Sequence, residues 1–242
     1  MQTYKVYYLV IFMKNAIVLC SGGLDSSVTA YYIKNKLGYD KITIMFFNYG
    51  QRTINQERKA SRDCAKKIGA KFMEIKLDWI KNISNSLITK NNKVRHISKI
   101  KLKDTKKESE KFYVPCRNTI FLVYALSFAE AKFISKKHKS DIFVGFKCEG
   151  KESYPDTTIE FVKQMNKLAK TSCSYSAKII APLIKKDKED IVLLGKKLGV
   201  NFKDTFSCYA SNDARHCGYC LACMLRKQGF YWAGIEDPTE YD

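Results

Sequence analysis

Apolar residues along this chain arrive in short unbroken runs, separated by longer segments with helical spacing. Asn15–Cys20 (NAIVLC) is a continuous apolar run that stops at Ser21-Gly22-Gly23, the pattern of a strand buried on both faces. Ser26–Leu37 reads as a helix stopped by Gly38, and Lys41–Phe47 as a second strand. Gln51–Ile68 reads as a charged helix closed by Gly69, and Lys71–Leu77 alternates like a third strand. Asn118–Lys137 carries the apolar face of a long helix, and Asp141–Phe146 is another buried run. Asp156–Lys170 is amphipathic behind Pro155, Ile179–Ile184 is a last strand, and Lys188–Leu198 is a helix ended by Gly199.

This alternation predicts an α/β fold, a doubly wound and mostly parallel sheet with helices on both faces. Ligands of such sheets sit outside the carboxyl ends of the strands. Two segments break the rhythm. Residues 81–111 are polar and rich in lysine with no clear period, which reads as a basic insertion or lid. From Thr205 onward the cysteines concentrate. The expected organisation is an N-terminal extension over 1–12, an α/β domain over 13–204 and a small C-terminal metal-binding region over 205–242.

Composition narrows the class. Of 242 residues, 45% are hydrophobic and 13% aromatic, enough for a substantial core and too many for a disordered chain. No apolar run reaches the roughly 18–20 residues that span a bilayer. Forty-three basic residues against 24 acidic ones give a formal charge of +19, which attracts polyanions. Lysine dominates that excess, whereas nucleic-acid readers use arginine for bidentate contacts, so a nucleic-acid partner is not favoured. Nine cysteines with no secretory signal before them predict a reducing, cytoplasmic compartment, where clustered thiols bind metal or catalyse.

The loop between the first strand and first helix is Ser21-Gly22-Gly23-Leu24-Asp25-Ser26-Ser27. Two glycines allow a tight turn and close backbone approach, while hydroxyls and free amides at a helix start make an anion cradle. It is neither a Walker A loop nor a dinucleotide fingerprint. In the tail, Cys208, Cys217, Cys220 and Cys223 supply four thiols with the spacing of a structural zinc site. His216 beside them reads as a bystander. Cys20 and Cys64 read as packing residues, and Cys116, Cys148 and Cys173, near the expected ligand face, as structural ones.

The SGGxDS pattern resembles the PP-loop ATP pyrophosphatases. That resemblance implies ATP on a nucleotide-binding set of Cys20, Ser21, Gly22, Gly23, Leu24, Asp25, Ser26 and Ser27, with Asp25 helping to organise Mg²⁺ or the phosphates. Further stretches resemble one family, QueC, the 7-cyano-7-deazaguanine synthases. They are Phe47-Asn48-Tyr49-Gly50-Gln51-Arg52, Val114-Pro115-Cys116-Arg117-Asn118, Ser153-Tyr154-Pro155-Asp156, Ala181-Pro182-Leu183, Lys188-Glu189-Asp190-Ile191, Thr205-Phe206-Ser207-Cys208-Tyr209, Cys217-Gly218-Tyr219-Cys220 and Leu225-Arg226. The resemblance runs from about Met13 to Phe230.

It implies an ATP-dependent carbon–nitrogen ligase that adenylates the carboxylate of 7-carboxy-7-deazaguanine. Ammonia displaces AMP to give an amide, and a second activation dehydrates the amide to the nitrile. Asp25, Lys188 and Arg117 are the expected catalytic residues, and Arg117, Asn118, Tyr154 and Asp156 the expected substrate contacts. ATP, Mg²⁺ and a structural Zn²⁺ are the expected cofactors, and a homodimer the expected assembly. This chain departs from the family at Cys116 (usually Gly), at Thr53 (usually His) and across Gly150–Thr158, around the presumed substrate pocket. Those departures fit a defence enzyme joining the acyl group to a protein amine; the charge of +19 keeps a tRNA thiolation enzyme open, and a nucleotide-binding module without turnover is the non-enzymatic reading.

Overall fold

The computed structural model describes residues 14–90, 94, 105–147, 154–211, 213 and 215–242. The expected extension over 1–12, much of the 81–111 insertion, Cys148 and Ser153 lie outside the described residues. Five strands form one parallel sheet in the order β3-β2-β1-β4-β5. They are β1 (Asn15–Leu19), β2 (Lys41–Asn48), β3 (Lys71–Lys76), β4 (Ser140–Val144) and β5 (Ile179–Ile180). The central position of β1 explains its unbroken apolar run, since Ala16, Ile17 and Val18 are buried whichever face they point to.

Alternate residues of each strand feed opposite layers. Ala16, Val18, Ile42, Ile44 and Phe143 pack with α1 (Leu24–Asn35) and α2 (Ile54–Lys67) through Ala30, Ile33, Cys64 and Ala65. Ile17, Met45, Ile142 and Val144 face the opposite layer, where α5 (Arg117–Lys136) contributes Leu122, Ala125, Leu126 and Ala129. Helix α6 (Ile159–Ser172) adds Met165 and Ala169 to that layer. The doubly wound parallel sheet is therefore as expected. Strand order reverses between β1 and β4, which opens a crevice at their carboxyl ends.

Three elements differ from the sequence reading. The last strand holds only Ile179 and Ile180, because Ala181 begins a turn (its carbonyl accepts from the Ile184 amide at 3.2 Å) and Pro182 has no amide for a ladder. The amphipathic segment starts later than Asp156: Pro155–Thr157 is a single 3₁₀ turn, and Thr158 caps α6 by accepting the Phe161 amide at 3.0 Å. In and beside the basic insertion, α3 (Ile80–Ile83) and α4 (Thr105–Glu110) are helical, and Ile88, Val94 and Phe112 are buried in the main core. Charge hid those three apolar anchors.

Behind the sheet, α7 (Lys188–Lys197) packs on α1 and on α8 (Leu221–Trp232), a helix that the cysteine-rich spacing concealed. Leu24, Val28, Leu183, Ile191, Val192, Phe202 and Phe230 form the core there. Inside it Arg226 is 1% exposed and fully engaged. Its guanidinium donates to Asp237 at 3.2 Å, to the Thr205 and Ser207 hydroxyls at 2.8 and 3.1 Å and to the Phe202 carbonyl at 3.1 Å. No described helix is long and apolar enough to cross a membrane.

Helix α5 begins on Cys116, whose φ of 51° and ψ of 21° place it in the left-handed region. A side chain there costs about 1–2 kcal/mol relative to glycine's freedom. The Cys116→Gly variant is therefore expected to unfold at higher urea, by about 0.5–1 kcal/mol after glycine's greater unfolded-state entropy is counted. A lower urea midpoint would contradict the strain.

Candidate active site

At the carboxyl ends of β1, β2 and β4 lies a cavity of about 280 Å³. Its floor is the β1–α1 loop. Cys20, Ser21, Gly23, Leu24, Asp25 and Ser26 line it, whereas Gly22 and Ser27 face the protein. Gly22 has φ +80° and sits so close to α2 that a Cβ would stand 2.5 Å from the Ser61 amide nitrogen and 2.6 Å from Ala60 Cβ. The loop is tied down on several sides. Ser61 donates its hydroxyl to the Cys20 carbonyl at 2.9 Å, and the Gly22 carbonyl accepts the Phe206 amide at 2.9 Å. Within the loop Ser26 donates to the Gly23 carbonyl at 3.2 Å, and the Gly23 amide donates to Ser21 Oγ at 3.3 Å. First-turn amides of α1, unsatisfied within the helix, point with its positive dipole end toward this opening.

Asp25 and Lys188, 163 positions apart, meet beside the loop: Lys188 Nζ donates to both Asp25 carboxylate oxygens at 2.8 Å. Lys188 is the first residue of α7, and its stem lies on Gly229 of α8, where a Cβ would stand 2.2 Å from Lys188 Cγ. Gly145, just past β4, is similarly pressed on the start of α1, with space for a Cβ only 2.9 Å from the Ser26 backbone. The sequence reading gave neither glycine a role. Their signal is position alone, one after a buried strand and one inside an apolar helix.

Across the cavity Arg117 donates from Nη1 to the Tyr49 hydroxyl at 3.1 Å and stacks over the Tyr49 and Phe121 rings at 5.4 and 5.8 Å. Burial pushes the Tyr49 hydroxyl up to about 12 against the opposing pull of Arg117, so the phenol stays neutral. Asn118 and Tyr154 also line the space; Tyr154 donates to the Ser109 carbonyl at 3.0 Å and stacks on Tyr113 at 5.6 Å. Asp156 does not line it. Buried below the start of α5, it accepts the Asn118 amide at 3.0 Å on Oδ2, and its carbonyl accepts from Asn118 Nδ2 at 3.3 Å. A carboxylate at a helix N-terminus is electrostatically favoured, and here it holds Asn118, whose Oδ1 accepts from Arg117 Nε and Nη2 at 3.4 Å. Lining residues without an expected role include Glu57, Lys147, Phe206, Tyr209 and Arg226.

Cys208, Cys217, Cys220 and Cys223 are all buried, with their sulfurs within 4.8 Å of one another. The Cys208–Cys220 and Cys217–Cys223 sulfurs are 3.9 and 4.0 Å apart, close to the roughly 3.8 Å edge of a tetrahedron with metal–sulfur bonds of about 2.3 Å. Backbone amides of Ala210 and Ser211 point at Cys208 Sγ from 3.3 and 3.2 Å, and that of Cys220 at Cys217 Sγ from 3.3 Å, as outer-shell donors to thiolates do. The four cysteines can hold a metal ion. His216 is outside the set: its Nε2 accepts the Ser207 amide at 2.9 Å, and burial followed by the nearby Arg226 charge lowers its pKa to about 4. Cys20 and Cys64 are buried in the core; Cys173 caps the end of α6 away from the cavity, and Cys116 is exposed.

A parallel sheet whose first strand ends in Ser-Gly-Gly-Leu-Asp-Ser, opening on a cavity at a helix start, is the arrangement of a PP-loop nucleotide-binding protein. The family model of the queuosine biosynthesis protein QueC matches residues 15–234, and the chain belongs to that family. A 7-cyano-7-deazaguanine synthase of Methanocaldococcus jannaschii is 40% identical over 241 residues, which span 93% of this chain and 98% of that protein. Enzymes of the same name from Methanosphaera stadtmanae and Rickettsia felis are 39% and 37% identical, over 94% and 95% of this chain and 98% and 100% of their own.

Because the Gly22 position has neither room nor a suitable φ for a side chain, Gly22→Ala is expected to lose about 2 kcal/mol or more. Urea unfolding measures this, and an unchanged midpoint would show that α2 does not press on the loop.

Proposed function

We propose that this chain is a 7-cyano-7-deazaguanine synthase, an ATP-dependent carbon–nitrogen ligase acting on 7-carboxy-7-deazaguanine and ammonia. The observation that carries this reading is the meeting of the loop, the Asp25–Lys188 pair and the Arg117 platform around one cavity. Full-length similarity to enzymes of that name supports the choice of acid.

A carboxylate is a poor electrophile because its delocalised negative charge repels a nucleophile and an oxide ion is not expelled. In the proposed reaction one carboxylate oxygen attacks the α-phosphorus of ATP, and the bond to pyrophosphate breaks. Ammonia then adds to the acyl carbon, AMP departs with the former carboxylate oxygen, and an amide remains. A second ATP activates the amide oxygen; loss of AMP and of the remaining N–H protons leaves the nitrile. No covalent enzyme nucleophile is needed, so the protein's task is positioning and charge stabilisation.

Ser21, Gly23 and Ser26, with the first amides of α1, would hold the pyrophosphate portion. Lys188 would exchange part of its contact with Asp25 for a phosphate oxygen, stabilising charge as the pyrophosphate leaves. Asp25, a hard oxygen donor beside the phosphate site, suits Mg²⁺, which is commonly held by one or two carboxylates plus substrate phosphates. Arg117 and Asn118 would face the acid, with Tyr154 on the cavity wall and Asp156 acting from below as a positioning residue. Four soft thiolates with no open position suit Zn²⁺, which would hold the tail in place.

We keep a homodimer as the expected assembly. The protein-amine, tRNA-thiolation and binding-module readings have no feature of the described cavity in their favour.

Incubated with ATP, Mg²⁺, ammonium and the carboxylate, the protein is expected to yield amide and nitrile masses with AMP. Asp25→Asn and Lys188→Met should each slow this by about 100-fold or more, as for other preorganised charges. No AMP-linked product from the wild type, or unimpaired turnover in both variants, would refute the reading. Zinc is expected at one ion per chain, and stripping it with a chelator should lower the melting temperature. A metal-free preparation with the same melting temperature would contradict its structural role.

A further inference from the structure

The cavity contains a second carboxylate to which the scheme above gives no task. Among the described lining residues only Asp25 and Glu57 are acids, and Asp25 has both oxygens against Lys188. Glu57, in the first turn of α2, is 9% exposed, and both its oxygens are steered. Oε1 accepts the Thr53 hydroxyl at 2.6 Å and Oε2 accepts the Gln51 side-chain amide at 3.1 Å. Gln51 is itself immobilised, donating to the Phe47 carbonyl at 3.0 Å and accepting the Tyr49 amide at 2.9 Å.

A carboxylate oxygen has two acceptor positions. Among the described residues one on each Glu57 oxygen is used, which leaves one on each for a ligand's N–H. Burial pushes the Glu57 carboxyl up, while the Thr53 and Gln51 hydrogen bonds and then Arg117 favour the ionised form. Two fixed donors suit a stationary acceptor better than a swinging proton carrier. A buried acid with unused acceptor positions carries a desolvation cost that a bound N–H would offset.

Its position selects the part of the substrate it would meet. Ala60 and Ser61 touch the phosphate loop at Gly22, so Glu57 stands about one helical turn, roughly 5.4 Å, beyond that contact toward the start of α2. Tyr49, Phe121, Arg117 and Tyr209 line the same cavity, and flat rings beside a planar guanidinium suit a flat heterocycle. A guanine-like ring presents a ring N–H and an exocyclic amine side by side, a pair of donors that one carboxylate matches with its two oxygens.

We propose that Glu57, held by Thr53 and Gln51, is the specificity-determining residue that accepts both N–H groups of the substrate's guanine-like edge. This rests on the deazaguanine reading above. It also gives Thr53, which departs from the family's usual residue, a defined partner.

The test compares 7-carboxy-7-deazaguanine with its analogue lacking the exocyclic amine, following AMP-linked product from each. Wild-type kcat/KM is expected to be about 10- to 100-fold lower for the analogue, since a site built to accept an N–H leaves its acceptor unpaired without one. Glu57→Gln should raise KM for the parent acid about tenfold or more, with a much smaller change in kcat, as removal of a binding contact does. It should also bring the two compounds to within about threefold of each other, while calorimetric affinity for ATP alone stays within about twofold. Equal use of both compounds by the wild type, a result that needs no substitution, overturns the assignment; so does an unchanged KM in the folded variant. If the wild type makes no AMP-linked product from either acid, the proposed function itself fails and this assignment falls with it.

Discussion

The site depends on the C-terminal tail being folded onto the carboxyl edge of the sheet. The loop that begins α1 has little freedom of its own: Gly22 is wedged against α2, and its carbonyl is held by the Phe206 amide from the tail. On the other side, Lys188 reaches Asp25 with its stem laid on Gly229 of α8. Buried Arg226 joins those pieces, bonding Thr205, Ser207 and the Phe202 carbonyl while pairing with Asp237. Removing one partner from such a buried pair costs about 3–5 kcal/mol, because an uncompensated charge is left behind. Four converging thiols that can hold a metal ion lie next to this assembly, so an ion bound there would brace the same part of the fold.

Much of this was legible in the chain because local patterns and global fold agree. An unbroken apolar run marked the central strand, and glycine stops marked the ends of α1, α2 and α7. Four cysteines at their spacing announced a cluster that can hold a metal ion. Less visible was whatever depends on contact between distant residues. Nothing in the order of residues says that Asp25 and Lys188 touch, and α8 was hidden because its cysteines drew attention to metal rather than to helix. Asp156 looked like a substrate contact from its motif, yet its carboxylate sits under α5 and holds the Asn118 amide. Glu57 went unnoticed among the charges of α2, although its first-turn position at the end of β2 faces the cavity.

The departures from the family pattern have local physical consequences. Cys116 occupies a left-handed position that strains the start of α5, just before Arg117. Thr53 gives Glu57 a short hydroxyl partner. Thr157 lines the cavity, and Thr158 caps α6, so hydroxyls serve turn and helix start in that stretch. None of these changes the β1–α1 loop or the Asp25–Lys188 pair.

The central claim is that an oxygen of the acid becomes bonded to the α-phosphorus of ATP beside the Asp25–Lys188 pair. Carboxylate labelled with oxygen-18 tests it most directly, with mass spectrometry reading the released nucleotide. The account predicts that AMP gains one label at each activation, so both labelled oxygens leave in AMP as nitrile forms. Label found in pyrophosphate or inorganic phosphate, or AMP released without label while product accumulates, would contradict it.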